Sequence, residues 1–289
     1  MTSPRKIGPQ TVPYAVLGHP VAHSLSPAMH NAAFEAMGLD AVYLAFDVTA
    51  DRLMATLTSL RELGFGGVNL TLPLKETARE EMQLLHESAR RAGAVNCVAF
   101  TPEGVRGYNT DGDGFLRALA ELGMDSLRGR SVAVLGSGGA ARGVAIACAH
   151  AGAAQIAIVA RNAKRAERLT ADLHATGSSV ETRAVLEAAA QEQEVRAADL
   201  VVQCTPVGLR PGEPPLFEAD AFREGQWVVD TIYVVPETPL MKAARQGGAR
   251  VANGLGMLLH QGALSLEIWT GAEAPVEAMR TALEEAMTL

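Results

Sequence analysis

Short apolar runs alternate with amphipathic stretches along the whole chain. In the first part, residues 13–17, 41–47, 67–70 and 94–100 predict strands. Between them, helix-like spacing starts near Pro27, covers 51–63, and returns as a charged stretch at 76–91. Over residues 111–122, Phe115, Leu116, Leu119 and Leu122 fall on one helical face. A second series opens near Gly129, with strands predicted at 131–135, 155–160, 200–204 and 227–230. An alanine-rich helix follows the first of these strands, and helices at 255–269 and from Pro275 complete the pattern. Strand alternating with helix predicts an α/β fold with mostly parallel sheets. No internal repeat points to a solenoid.

Length and charge narrow the field. A chain of 289 residues, 48% of them hydrophobic, is long for one core and leads us to expect two domains. The balance of 25 basic and 32 acidic residues opposes a nucleic-acid partner, and no basic run offsets it. Cys97, Cys148 and Cys204 are odd in number and widely spaced, which fits free thiols in a reducing cytoplasm better than disulfides or zinc. His19, His23 and His30 lack a third ligand at matching spacing, so no metal is expected. Residues 143–160 carry no charge, but His150, Gly152 and Gln155 divide them into helix end, turn and strand rather than a membrane span. Arg5 and Lys6 precede an uncharged stretch that Pro9, Pro13 and Pro20 break, against a secretion signal. A soluble protein is expected.

The sharpest local motif is Gly136-Ser137-Gly138-Gly139-Ala140-Ala141, placed between a predicted strand and a predicted helix. Glycines permit a tight turn and close approach of a pyrophosphate, alanine permits close helix–strand packing, and the helix N-terminus offers N–H groups to phosphate. Dinucleotide binding is therefore expected, with a plain structural turn as the alternative. The next strand ends in Ala160-Arg161-Asn162, followed by Lys164 and Arg165. An acid there would suit the ribose hydroxyls of NAD, whereas a guanidinium suits the 2′-phosphate of NADP. NADP is the expected cofactor.

Four further stretches gather small polar residues at predicted strand ends: 23–27, 69–75, 93–96 and 108–111. In open α/β sheets ligands lie beyond the carboxyl ends of strands, so these segments could share a crevice. Each also has a bland explanation: Ser26-Pro27 and Asp111 as helix caps, Asn69 and Asn96 as turn residues.

Taken together, these stretches resemble the shikimate/quinate dehydrogenase family. The similarity runs in family order through Gly18-His19-Pro20-Val21-Ala22-His23-Ser24-Leu25-Ser26-Pro27, Asn69-Leu70-Thr71-Leu72-Pro73-Leu74-Lys75, Gly93-Ala94-Val95-Asn96 and Asn109-Thr110-Asp111-Gly112. It continues through the glycine turn, Gly254-Leu255-Gly256-Met257, Gln261 and Glu267-Ile268-Trp269-Thr270-Gly271. The resemblance implies reversible NADPH-linked reduction of 3-dehydroshikimate to shikimate, a step towards aromatic amino acids. It implies a substrate domain at 1–112, completed by helices in 252–289, and a doubly wound Rossmann domain at 113–251, with the two ligands meeting between them. It further implies that Ser24 and Ser26 bind the substrate carboxylate. Asn69, Thr71, Asn96, Asp111 and Gln261 are expected at the substrate, with Tyr233 nearby, and Lys75 as acid/base beside Asp111. Cofactor contacts are implied for Gly136, Ser137, Gly138, Gly139, Ala140, Arg161, Arg165, Thr231, Gly254 and Met257.

The chain departs from the family at Ala160 and Asn162, where asparagine and threonine are usual, at Cys97 for threonine, and at Asp113, usually uncharged. Three alternatives stay open: a quinate/shikimate enzyme using NAD, a dehydrogenase of an amino-substituted analogue, and a non-catalytic dinucleotide sensor. The Ser24–Ser26 pair favours shikimate, and retention of Lys75 with Asp111 disfavours a sensor. A monomer or homodimer is expected.

Overall fold

A computed structural model describes residues 7–288, so Arg5 and Lys6 lie outside the described residues. The chain divides into two compact units, one from the described parts of Met1–Thr110 and Leu259–Leu289, the other from Asp111–Leu258.

The first unit contains β1 (Val12–Gly18), α1 (Ser26–Ala36), β2 (Ala41–Asp47), α2 (Leu53–Glu62), β3 (Gly67–Leu70), α3 (Leu74–Glu81), β4 (Leu84–Leu85), α4 (Glu87–Ala92), β5 (Cys97–Thr101) and β6 (Gly104–Tyr108). Its sheet runs β2-β1-β3-β5-β6-β4. Three of the five pairings are parallel, while β5 runs antiparallel to both β3 and β6. Buried from Tyr14 onward, β1 reads as a near-continuous apolar run, and fully buried β3 is apolar but for Asn69. On one face Ala15, Leu17, Val68 and Leu70 pack with Leu53, Leu57 and Leu74. On the other, the rings of Tyr14, His30, Phe34, Tyr43 and Trp269 gather.

The single charged helix expected at 76–91 is two helices. Met82 leaves the helical conformation with φ −77° and ψ 132° and buries its side chain. Leu84 and Leu85 then pair with Arg106 and Gly107, and the His86 side chain caps α4 by accepting from the Ser88 N–H. Burial of Met82, partial burial of Leu84 and Leu85, and a strand partner over twenty positions away outweigh the helical preference of the charged neighbours. Strand 94–100 likewise shortens to β5, because Val95 and Asn96 spend their backbone groups on the loops of the site described below. The β5–β6 hairpin was not expected; its turn carries Gly104 at φ 144°.

The second unit holds α5 (Asp111–Glu121), β7 (Ser131–Leu135), α6 (Gly139–His150), β8 (Gln155–Val159), α7 (Ala163–Ala175), β9 (Glu181–Val185), α8 (Ala188–Ala197), β10 (Leu200–Gln203), β11 (Trp227–Asp230), α9 (Pro239–Gln246) and β12 (Arg250–Ala252). Its six strands are all parallel in the order β12-β11-β10-β7-β8-β9, the doubly wound arrangement with its reversal between β7 and β10. Along β7, Val132 and Val134 face the core built with Phe115, Ile146, Ile156 and Leu169, while Ala133 and Leu135 face Val195, Val201 and Leu240. Helix α10 (Leu255–Thr270) starts in this unit and passes into the first, and α11 (Val276–Met287) packs on α1. Residues 252–258, expected with the first unit, cluster with the second: Ala252 and Met257 pack on its core.

Candidate active site

Strand register brings the four polar stretches of the first unit to one end of its sheet. Leu17 of β1 lies beside Leu70 of β3, so the loops after both strands leave from the same edge. Antiparallel β5 sets Cys97 opposite both Asn69 and Tyr108. Asn96 therefore sits at that same edge, with its carbonyl accepting from the Leu70 N–H (2.8 Å), and Thr110 arrives beside it.

The loops after β1 and β3 are stitched together. Gly18 is required there, because a β-carbon would collide with the Thr71 methyl and lie 3.1 Å from the Leu72 carbonyl. The Thr71 N–H donates to the Leu17 carbonyl (2.9 Å), and the His19 N–H to the Leu72 carbonyl (3.0 Å). Ser24 Oγ accepts from the Ser26 N–H (3.3 Å), which leaves the Ser24 hydroxyl hydrogen to donate elsewhere. Ser26 is buried at the start of α1. Fully buried Leu74 anchors the first turn of α3, and half-buried Lys75 follows it. The Lys75 carbonyl accepts from the Val95 N–H (2.9 Å), joining the lysine's backbone to the stretch that carries Asn96.

Behind these loops lies a buried polar network. Asn69 Nδ2 donates to the Asn96 carbonyl (3.0 Å) and to Ser265 Oγ (2.8 Å), and Asn69 Oδ1 accepts from the Tyr43 hydroxyl (2.7 Å). Asn96 Nδ2 donates to Thr110 Oγ1 (2.9 Å) and to Gln261 Oε1 (3.2 Å), and its Oδ1 accepts from the Thr110 N–H (2.7 Å). Asn69 and Asn96 are 5% and 1% exposed, so both amides act first inside the protein. Tyr43 and Ser265 were not anticipated. Ser265 carries a weak signal, as a polar residue one helical turn after Gln261 on a mostly apolar helix.

In the second unit, the glycine turn follows β7 at the sheet's reversal. Gly136 has φ 116°, which favours glycine, and a β-carbon there would lie 3.1 Å from the Thr205 methyl. Gly138 caps α6 without any side-chain hydrogen bond, and a β-carbon on it would meet nothing within 4 Å. Gly138, Gly139 and Ala140 are exposed, Ser137 is half-buried, and the first turn of α6 carries no acid. Bare N–H groups beside open space suit a phosphate. Arg161 and Arg165 are exposed, flanking Asn162, whose side chain caps α7 by accepting from the Arg165 N–H (3.0 Å).

Beyond β11, Thr231 and Gly254 lie together: a β-carbon at Gly254 would collide with the Thr231 backbone, and its N–H donates to the Ile232 carbonyl (3.0 Å). Asp230, fully buried beside them, accepts from the Ile232 N–H (3.0 Å) and the Thr238 hydroxyl (2.6 Å), yet burial pushes its carboxyl up to about 6. Half-buried Tyr233 follows, its phenol raised by burial, and Met257 is half-buried in α10. Asp111 is half-buried as the first residue of α5. Among the described residues, no group of three or more His, Cys, Asp or Glu side chains is placed to hold a metal, and no helix is long and apolar enough to cross a membrane.

Three family models match the chain: the shikimate dehydrogenase substrate binding domain at residues 16–98, shikimate/quinate 5-dehydrogenase at 118–208, and the shikimate 5′-dehydrogenase C-terminal domain at 254–284. The chain is 48% identical over 273 residues to the shikimate dehydrogenase (NADP(+)) of Methanopyrus kandleri, covering 93% of this chain and 94% of that one. Among solved structures, a shikimate dehydrogenase in complex with NADP+ superposes with a TM-score of 0.89 at 35% identity, covering 98% of both chains. The Thermus thermophilus shikimate 5-dehydrogenase in complex with NADP(H) and shikimate gives 0.85 at 40% identity, covering 95% of this chain and 99% of that one.

Proposed function

The chain belongs to the shikimate dehydrogenase family, and from that premise we propose that it is an NADP-dependent enzyme reducing 3-dehydroshikimate reversibly to shikimate in aromatic amino-acid biosynthesis. What supports this proposal is that the loops carrying Ser24, Ser26, Thr71, Lys75 and Asn96 lie at one end of the first unit's sheet, with Asn96 donating to Gln261 Oε1.

Each residue type suits its role. Ser24 and Ser26 offer hydroxyls to the substrate carboxylate, and Thr71, Asn96, Asp111 and Gln261 take the ring hydroxyls, with Tyr233 nearby. Asn69 serves by holding Asn96 and Ser265, consistent with its committed amide. Bound NADPH supplies the hydride. Negative charge then builds on the former ketone oxygen, where the Lys75 ammonium stabilises it and delivers the proton. Asp111, paired with Lys75 in this scheme, favours the charged form of the amine.

For the cofactor, we assign the pyrophosphate to Gly136, Ser137, Gly138, Gly139 and Ala140, supported by the uncapped start of α6. Arg161 and Arg165 take the 2′-phosphate, while Thr231, Gly254 and Met257 border the nicotinamide. The two units act as substrate-binding and dinucleotide-binding domains, with the enzyme working in the cytoplasm, where the free thiols of Cys97, Cys148 and Cys204 persist. The test follows absorbance of the reduced nicotinamide while shikimate and quinate are each offered with NADP and NAD. Turnover should be greatest for shikimate with NADP. A clear preference for quinate, or for NAD, would overturn the corresponding part of the assignment.

A further inference from the structure

At the carboxyl end of β8 the sheet of the second unit lacks a rung. In a parallel ladder a residue donates its N–H to the carbonyl just before its neighbour, and its own carbonyl accepts from the N–H just after that neighbour. Strands β8 and β9 run in this register up to Val159 beside Val185. The Ala160 N–H adds one more bond, to the Val185 carbonyl at 3.2 Å. The next rung would join the Ala160 carbonyl to the Glu187 N–H. Glu187 instead opens α8, and no peptide N–H among the described residues donates to the Ala160 carbonyl.

Gln191, one turn into α8, fills the gap. Its Nε2 lies 3.2 Å from the Ala160 carbonyl and 3.1 Å from the carbonyls of both Val185 and Leu186. A peptide carbonyl can only accept, so three of them around one atom identify it as the amine of the side chain. A side-chain amide thereby replaces the missing rung and ties the ends of β8 and β9 together.

What it anchors is the exit of the chain into Arg161. The Ala160 carbonyl and the Arg161 N–H belong to one planar peptide, so holding the first sets the direction of the second. On the far side, the Asn162 side chain accepts from the Arg165 N–H at 3.0 Å. Arg161 itself is exposed, and among the described residues its guanidinium has no hydrogen-bond or ion-pair partner. No polar contact aims that side chain, so the backbone on either side of it does.

We infer that Gln191 is a positioning residue for cofactor selection, holding the Ala160–Arg161 peptide so that the guanidinium stands ready for a ribose 2′-phosphate. Gln191 acts only through that peptide, because its amine is committed to three carbonyls. A dinucleotide with a free 2′-hydroxyl gains nothing from the arrangement. This inference rests on the assignment of Arg161 to the 2′-phosphate.

The experiment is titration calorimetry on the full chain with NADP, NAD and 2′,5′-ADP, for wild type, Gln191→Met, Arg161→Ala and the double variant. Methionine keeps the length of the side chain and suits a helix, but has no hydrogen to donate. Gln191→Met should weaken NADP and 2′,5′-ADP about threefold to tenfold, the worth of one lost anchoring hydrogen bond, and NAD less than about twofold. With saturating shikimate and NADP, kcat should stay within about twofold. In the Arg161→Ala background, Gln191→Met should cost no further NADP affinity, because the group it positions is gone. Gln191→Ala, on a helix that tolerates alanine, gives the same comparison if the methionine variant does not fold. Equal weakening of NADP and NAD, or additive losses in the double variant, would overturn the positioning role and leave Gln191 a support of the sheet end. An NADP-to-NAD affinity ratio that Arg161→Ala leaves unchanged would instead overturn the assignment of Arg161, so the two failures are told apart.

Discussion

His30 couples the stability of the first unit to pH. Its ring is fully buried in α1, stacks 4.3 Å from the Tyr43 ring at 9°, and lies 5.5 Å from Trp269. Neither ring nitrogen has a hydrogen-bond partner. Burial lowers its pKa from 6.5 to about 3, so the fold holds it neutral. The unfolded chain binds a proton below pH 6.5 that the folded chain refuses down to about pH 3. Stability is therefore full above the unfolded value and is lost as pH falls through this window. Between about pH 7.5 and about pH 5 the loss is about 2 kcal/mol.

Buried Asp230 works in the opposite direction, because its carboxyl is raised from 3.8 to about 6. Its contribution grows as pH falls through that interval, so only a difference between variants isolates His30. The assay is urea unfolding of wild type and His30→Leu, each carrying Trp227→Phe so that fluorescence reports Trp269 in the first unit. His30→Leu should lose about 2 kcal/mol less than the parent between the two pH values. Equal losses would refute the reasoning and mean that the fold accommodates the imidazolium without penalty.

Other expected outcomes follow from the same geometry. Arg161→Ala should raise the KM for NADP by about tenfold or more while leaving that for NAD nearly unchanged, by loss of a charge-assisted contact to the 2′-phosphate. An unchanged ratio between the two would remove Arg161 from that role. Gly136→Ala, at φ 116°, should cost about 1–3 kcal/mol in thermal or urea unfolding and weaken cofactor binding with it. Asp230→Asn removes a carboxylate whose charge is penalised by burial, so it should flatten the pH dependence of second-unit unfolding between about pH 4 and about pH 6, read by Trp227 fluorescence. An unaltered profile would mean that Asp230 titrates normally.

Much of the cofactor half was legible because its determinants are local. Gly136 to Ala141 lie between a strand and a helix within one short segment, and the turn needs small residues whatever surrounds it. The resemblance likewise named Ser24, Lys75 and Gln261 as expected site residues, but spacing alone did not set where Asn96 lies. That depended on β5 running antiparallel, which places Asn96 beside Leu70. The break in the charged stretch at 76–91 was hidden for a related reason: Leu84 and Leu85 form a strand only because β6 lies alongside. The network behind the site was least accessible of all. Asn69 and Ser265 are 196 positions apart, and nothing in either neighbourhood announces the other. Asn96 is a further case, its amide donating to Thr110 and Gln261, partners 14 and 165 positions away.

The central claim is that the Lys75 ammonium supplies the proton in the reduction. It is tested most directly by kcat for Lys75→Ala with shikimate and NADP, alongside a check that the variant unfolds at the parent's urea midpoint. The account predicts a fall of about a hundredfold or more, in the range for a lost general acid–base, with only a modest change in KM. Turnover within a few fold of the parent would contradict it.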